Sequence, residues 1–144
     1  MFAAFPLLAL VVLIYNFVAA VTLTGGLHAT DAAGQLGQQL FVIHMTSGAL
    51  WPVSLGDLLL VGGLVVLFIE LLKSTTSRRV AIINHSLSMI LFIICLVEFL
   101  LFQAFATSTF FLITLMVLLD VLAGFIVTIV SARRDVDFVP GGGG

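Results

Sequence analysis

The sequence predicts an all-α integral membrane protein, a bundle of four transmembrane helices with both termini in the cytoplasm. The prediction rests on the composition, on four long apolar segments and on where the basic residues lie. Of the 144 residues, 62% are hydrophobic and only 8% are charged, and the mean hydropathy is +1.34. Because a soluble domain carries about 25% charged residues, this chain is too apolar for water and needs lipid as its solvent.

Four segments are long and apolar enough to cross a bilayer as helices. A crossing of roughly 30 Å requires about 20 residues, and helices satisfy their own backbone groups in lipid. The predicted spans are residues 2–23, 52–72, 80–102 and 109–131. We expect them to form one membrane domain, residues 1–138, followed by a flexible glycine-rich tail, residues 139–144.

The basic residues predict the orientation of the bundle. All five follow either the second or the fourth span, and basic residues mark the cytoplasmic side of a membrane protein. Both termini are therefore expected in the cytoplasm, and residues 24–51 form an external strap without Lys or Arg. The residues that determine this topology are Lys73, Arg78, Arg79, Arg133 and Arg134.

The external strap contains an apolar run, residues 38–45, that is too short to span. The helical spacing of Leu36, Leu40 and Ile43 favours an interfacial helix over an extended strand. Trp51 is expected to anchor the chain at the membrane interface. Pro52 suits the first turn of a helix, so the second span should begin there.

Short connections predict which helices pack together. The cytoplasmic connection at residues 73–79 should join the second and third spans as a tight antiparallel hairpin. The external connection at residues 103–108 is shorter still and ties the third span to the fourth. Consecutive helices are therefore expected to be neighbours.

Five ionisable residues fall within the predicted spans, where each costs about 2.5 to 3.5 kcal/mol at the helix centre unless it finds a partner. Depth predicts two pairs. Asp57 should lie near Glu98 at the external side, and Glu70 near His85 at the cytoplasmic side. Two carboxylates at one depth would share a proton, as in proton-handling sites. Asp120 is the fifth ionisable residue and belongs to neither pair.

Asp120 lies in the middle of the fourth span, where its side chain is farthest from either interface. Gly124 follows one turn later, and Gly62 and Gly63 lie at similar depth in the second span; such small residues permit close helix approach. We expect Asp120 to hydrogen-bond across to the second span. It then serves either as a protonated packing residue, as part of an ion or proton path, or as a contact for another protein or a pigment.

A polar stripe runs along the third span. Asn84, Ser88, Cys95 and Glu98 recur at helical spacing on one face. Such a stripe either bonds neighbouring helices together or lines a hydrated path. His85 lies about 100° from Asn84 around the helix and need not share that face.

Cofactor and catalytic motifs are sparse in the sequence. His85 is a candidate ligand for haem or chlorophyll, and His28 with His44 for a metal, but a hydrogen-bonded structural histidine is the simpler interpretation, and we predict no cofactor and no metal site. No nucleophile-elbow, zinc-protease or phosphate-loop motif is present. The single cysteine, Cys95, excludes an internal disulfide, and the net charge of −2 does not favour nucleic acid.

Several short motifs carry a family resemblance. Residues 45–51 read Met-Thr-Ser-Gly-Ala-Leu-Trp and are followed by Leu-Gly-Asp-Leu at 55–58; Asn84-His85 and Thr-Ser-Thr-Phe-Phe at 107–111 complete the pattern. This pattern resembles a family of small four-span inner-membrane proteins of proteobacteria. The resemblance covers most of the chain and implies a bacterial cytoplasmic membrane. It transfers no catalytic residue.

The function expected from these features is non-catalytic. We predict an accessory subunit or assembly factor that binds other membrane subunits in a larger complex, such as a respiratory or photosynthetic one, or that self-associates. The first alternative is an oligomeric proton or ion conductor that uses Asp120, Asp57 and Glu98. The second is a haem- or chlorophyll-binding membrane protein that uses His85.

Overall fold

The computed structural model describes residues 5–24, 30–74 and 78–137, and most of these residues are helical. His28 and the predicted tail at 139–144 lie outside this part of the chain. The elements, in chain order, are α1 (Leu8–Thr24), α2 (Thr30–Leu36), β1 (Gln39–His44), β2 (Leu50–Ser54), α3 (Leu55–Ser74), α4 (Arg78–Leu101), a 3-10 turn (Gln103–Phe105) and α5 (Ser108–Asp137).

Three of the described helices are long and apolar enough to cross a membrane. Their apolar stretches are Leu55–Lys73, Ile82–Leu101 and Ser108–Val127. A shorter apolar helix, Leu8–Val21, belongs to α1. The prediction of a mostly helical protein with helices of membrane-spanning length is therefore confirmed. The first helix starts later than predicted, at Leu8, two residues after Pro6. The Pro6 carbonyl accepts the amide of Ala9 at 3.1 Å.

The last helix, α5, is the centre of the bundle. It packs extensively against both α4 and α3. The helices α3 and α4, predicted to form a tight hairpin, contact each other much less than either contacts α5. One face of α5 is buried at helical spacing, which explains its central position. The residues of that face include Phe110, Ile113, Val117, Asp120 and Val121.

Hydrogen bonds fix the direction of α1 relative to its neighbours. The amide nitrogens of Leu7 and Leu8, at the start of α1, bond to Glu70 near the end of α3. Asn16, later in α1, bonds to Glu98 near the end of α4. Helix α1 is therefore antiparallel to α3 and parallel to α4. We call the end of the bundle where α1 and α4 start and α3 ends the basic end, because it carries Lys73 and the start of α4.

The strap prediction is wrong for residues 39–44, which form a strand in place of an interfacial helix. Strands β1 and β2 pair antiparallel, with Ile43 opposite Trp51, and Gly48 turns the chain with φ +85°. We call residues 39–54 the hairpin. The run Leu40–Ile43 is rich in β-branched and aromatic side chains, which suit a strand, and a partner strand lies close along the chain.

Helix α3 begins at Leu55, three residues after the predicted start at Pro52. Ser54 and Asp57 explain the boundary. The Ser54 hydroxyl accepts the amide of Asp57 at 3.2 Å, and the Asp57 carboxylate accepts the amide of Ser54 at 2.9 Å. This reciprocal capping box fixes the first turn of a helix. Trp51 and Pro52 consequently belong to β2.

Tyr15 fastens α1 to the connection between α4 and α5. Its hydroxyl donates to the Ala104 carbonyl at 3.1 Å and shares a 2.6 Å hydrogen bond with the Thr107 hydroxyl. Thr107 in turn accepts the amide of Phe110, which caps the start of α5. The ring of Tyr15 packs on Phe110 with centroids 4.6 Å apart. The connection is thus held at the opposite end of the bundle from the basic end.

Candidate functional site

A buried polar cluster joins four helices near the basic end of the bundle. We define the polar cluster as Glu70, Asn84, His85, Ser88 and Asp120, all of which are buried. The members come from α3, α4 and α5, and the backbone of α1 contributes the remaining donors. Polar groups in an apolar interior need partners, so the contacts of each member indicate its role.

Glu70 is fully buried and accepts three hydrogen bonds. One carboxylate oxygen accepts the Leu7 amide at 2.7 Å and the Asn84 side-chain amide at 3.3 Å, and the other accepts the Leu8 amide at 3.1 Å. Amides at the start of a helix have no partner within the helix and attract negative charge. Glu70 therefore caps α1 from another helix and ties α1, α3 and α4 together.

Lys73 adds a second contact between α3 and the start of the described chain. Its ammonium group donates to the Phe5 carbonyl at 3.0 Å. The backbone of Arg78, Arg79, Arg133 and Arg134 lies in α4 and α5, and their side chains fall outside the described part. The backbone positions of Lys73 and of these four arginines therefore lie at one end of the bundle, because α4 and α5 are antiparallel.

Asp120 is fully buried in α5 and faces α4, in place of the expected second span. The Ser88 hydroxyl donates to one of its oxygens at 2.5 Å. The other oxygen, Oδ1, has no hydrogen-bond partner and lies 3.7 Å from Nδ1 of His85. Asp120 also interacts electrostatically with Glu70, so the two carboxylates belong to one cluster.

The imidazole of His85 packs directly on the backbone of α5 at Gly124. A Cβ at Gly124 would overlap the imidazole ring of His85, which no side chain tolerates. Gly124 therefore permits the close approach predicted for it, although its partner is α4. Gly63 has a similar role toward Met116 of α5, whereas Gly62 faces open space.

Neither ring nitrogen of His85 has a hydrogen-bond partner, although the residue is only 8% exposed. Burying polar atoms without partners is costly, so this pair of nitrogens is an unusual feature of the cluster. The ring lines a groove of about 240 Å³ between α4 and α5. The other lining residues are Ile82, Ser86, Met89, Val121, Gly124 and Phe125.

The predicted carboxylate pairs are replaced by other contacts. Glu70 bonds to Asn84 and to α1 in place of His85, and His85 lies against Asp120. Glu98 is half-buried and accepts the side-chain amide of Asn16 at 3.3 Å. Asp57 accepts the hydroxyl of Ser54 at 2.7 Å within its capping box. Asp57 and Glu98 therefore each have their own partner.

The polar stripe of α4 faces the protein interior, as expected if it bonds neighbouring helices together. Asn84, Ser88 and Cys95 are buried, and Glu98 is half-buried.

The remaining predicted residues lie on the hairpin: Trp51 is 47% exposed on β2, and His44 is exposed on β1. Within residues 5–24, 30–74 and 78–137, no three His, Cys, Asp or Glu side chains are placed to hold a metal ion.

Comparisons with family models, with characterised proteins and with solved structures return no match for this chain. The geometry of the chain itself therefore carries the functional argument. The polar cluster and the hairpin are the two features from which that argument starts.

Sequence reasoning missed three contacts outside the polar cluster in addition to those within it, and one of the three had a readable signal. Ser54 and Asp57 match the spacing of a capping box, a serine followed three residues later by an acidic residue. The contacts of Tyr15 with Thr107 and of Asn16 with Glu98 join residues more than 80 positions apart. No local pattern announces such pairs, although polar residues inside the first span indicate an inward face.

Proposed function

We propose that this chain is a four-span protein of the bacterial cytoplasmic membrane with both termini in the cytoplasm. The direction of α1 supports the fourth span, because α1 runs parallel to α4 and is antiparallel to α3. At about 1.5 Å per residue, its 17 residues cover about 26 Å, close to the hydrocarbon thickness. Lys73 and the start of α4 share one end, which the positive-inside rule assigns to the cytoplasm.

Within that membrane, we propose a non-catalytic role as an accessory subunit or assembly factor of a larger complex, such as a respiratory or photosynthetic one. The hairpin carries this proposal. It exposes six large apolar side chains at the end of the bundle opposite Lys73. These side chains, 39% to 63% exposed, are Leu40, Phe41, Ile43, Met45, Leu50 and Trp51.

The hairpin has the properties of a docking element. A two-stranded hairpin alone is marginally stable in water, and this one has Val53 as its buried hydrophobic side chain. Residues 32–56 contain no Asp, Glu, Lys or Arg, although charged residues commonly protect exposed strand edges. A partner protein would cover the apolar side chains and could also pair with a strand edge. Lipid head groups would cover the side chains only.

Photo-crosslinking in native membranes tests the proposal. The change is Phe41→benzoylphenylalanine or Trp51→benzoylphenylalanine, followed by irradiation, mild extraction, native gel separation and mass spectrometry. We expect a discrete adduct with one membrane protein at both positions and co-migration of the chain with a large complex. The variant Leu64→benzoylphenylalanine is the matched control, because Leu64 is 55% exposed in the middle of α3 and should contact lipid.

A second set of variants links the adduct to assembly. The double change Phe41→Ser with Trp51→Ser should abolish co-migration, because it removes two large apolar contacts from the hairpin. Leu64→Ser should leave co-migration intact. Migration of the wild-type chain alone, or only as a homo-oligomer, contradicts the accessory role, as does crosslinking to lipid alone at both hairpin positions.

Proton or ion conduction is the second candidate, and the polar cluster favours it. Glu70 and Asp120 are two fully buried carboxylates of this cluster, and intramembrane carboxylates are recurrent parts of ion paths. Flux into liposomes that contain the purified chain tests this function. Conduction predicts a flux that Asp120→Asn abolishes and that Asp57→Asn leaves unchanged, because Asp57 is engaged in its capping box.

A further inference from the structure

The groove between α4 and α5 combines apolar walls with one buried polar end. Its walls include Ile82, Met89, Val121 and Phe125, and its polar end is the imidazole of His85. Both ring nitrogens are buried and lack hydrogen-bond partners, and Oδ1 of Asp120 beside them lacks one too. The imidazole lines the groove, and Asp120 lies behind it, outside the lining. Buried polar atoms without partners beside a groove indicate a ligand that supplies the missing hydrogen bonds.

The size and depth of the groove restrict the ligand. The volume is about 240 Å³, and an apolar cavity of about 150 Å³ already binds benzene, so one substituted ring fits. His85 follows the start of α4 at Arg78 by seven residues, or about 10 Å along the helix. His85 is thus close to the start of the apolar stretch Ile82–Leu101. The described lining residues also include no Lys or Arg for a phosphate.

We propose that His85 and Asp120 form the polar end of a binding site for a membrane quinone or its quinol, with the ring in the groove between α4 and α5. A neutral imidazole has one N–H donor and one nitrogen acceptor. It donates to a quinone carbonyl in one tautomer and accepts a quinol hydroxyl in the other. Oδ1 of Asp120 lies 3.7 Å from Nδ1, beyond hydrogen-bond distance, and adds a further acceptor beside the ring.

The groove has a further polar group and an open side that suit this ligand. The Ser86 hydroxyl donates to the Ile82 carbonyl at 2.9 Å, which leaves its oxygen free to accept from a second hydroxyl on the ring. Phe125 is 51% exposed and offers a face for ring stacking. The groove opens to the outer surface of the helices, where an isoprenoid tail would lie in lipid. The site is independent of the hairpin and its partner.

Binding of a short-tailed quinone to the full chain tests the site. The chain is purified into lipid nanodiscs and titrated with decylubiquinone and decylubiquinol by calorimetry, with decylbenzene as the oxygen-free ligand that reports partition alone. We expect saturable binding of one molecule per chain for the two oxygenated ligands and none for decylbenzene. His85→Phe keeps a ring and removes both nitrogens, and it should weaken binding at least about tenfold.

Two further variants separate the site from general damage. Val121→Trp fills the groove without changing His85 and should abolish saturable binding. His44→Phe changes an exposed histidine of the hairpin and should bind as the wild type does. Should the first two variants fail to fold, imidazole ¹⁵N resonances of the wild type decide: decylubiquinol should shift the His85 signals and leave those of His44 in place.

Three results would overturn the proposal. They are the absence of saturable binding to the wild-type chain, unchanged binding in either His85→Phe or Val121→Trp, and a ligand-induced shift that spares His85. A stoichiometric haem or chlorophyll absorbance band in the purified chain that is lost in His85→Phe would also overturn it and assign His85 to a pigment.

Discussion

Glu70 and Asp120 are both fully buried carboxylates of one cluster, yet their surroundings differ. Glu70 accepts hydrogen bonds from three donors on α1 and α4. Asp120 accepts one, from Ser88, and keeps an oxygen without a partner beside the equally unpartnered His85. The first carboxylate has its hydrogen-bonding capacity used by the fold, whereas the second retains capacity for a ligand. Residue type and depth alone do not separate these two cases.

The largest expected effect follows from removing the satisfied carboxylate. Glu70→Leu leaves the Asn84 amide and the first amides of α1 without their acceptor, and each unsatisfied buried group costs about 1 to 3 kcal/mol. We expect the free energy of unfolding to fall by about 3 kcal/mol or more, measured by reversible unfolding with SDS in mixed micelles. Glu98→Leu is the control; because Glu98 is half-buried with one amide partner, its loss should be much smaller.

The contact between His85 and Gly124 gives the next largest effect. Gly124→Ala places a methyl group that overlaps the imidazole of His85, so the ring or α5 has to move. Overpacking of this kind costs about 1 to 3 kcal/mol, and SDS unfolding should show a loss in that range together with weaker quinone binding. Gly62→Ala has nothing within 4 Å of the new methyl and should be neutral or stabilising. Equal losses in both variants would contradict the packing described for His85.

Removing a third carboxylate, Asp57, should cause the smallest loss of stability. It is partnered like Glu70 but lies half-buried at the start of α3, where water replaces lost bonds. Asp57→Ala removes half of the capping box and should lower stability in SDS unfolding by less than Gly124→Ala does. Adding Ser54→Ala should cost little more, because both changes disrupt the same pair. Fully additive losses would show that the two residues act separately.

The sequence predicts the long helices well and their arrangement less well. The length of the apolar segments limits where helices can lie, because lipid permits few alternatives. The central place of α5 depends on which face each helix buries, and weakly amphipathic helices do not show that face clearly. The hairpin was missed because Leu36, Leu40 and Ile43 match a helical spacing by chance, while the deciding partner strand lies at residues 50–54.

The residues of the candidate site could be predicted from the sequence, whereas their partners could not. Asp120, Glu70 and His85 stand out in the sequence because ionisable groups inside apolar helices are rare. Their partners could not be predicted from depth, since Glu70 is satisfied by the backbone of α1, which carries no side-chain signal. Gly124 was correctly singled out as a small residue at a helix contact, but only the structure shows that it receives the ring of His85.

Two isosteric variants most directly test the claim that Glu70 has its hydrogen bonds satisfied by the fold and Asp120 does not. Glu70→Gln and Asp120→Asn each replace one oxygen by an amide nitrogen, and both are compared with the wild type by SDS unfolding under one condition. Glu70→Gln sets a donor against the donors of α1 or Asn84, so we expect a clear loss of stability. Asp120→Asn keeps an acceptor for Ser88 and places its amide where Oδ1 has no partner, so stability should stay close to that of the wild type. Equal losses, or a larger loss for Asp120→Asn, would contradict the account.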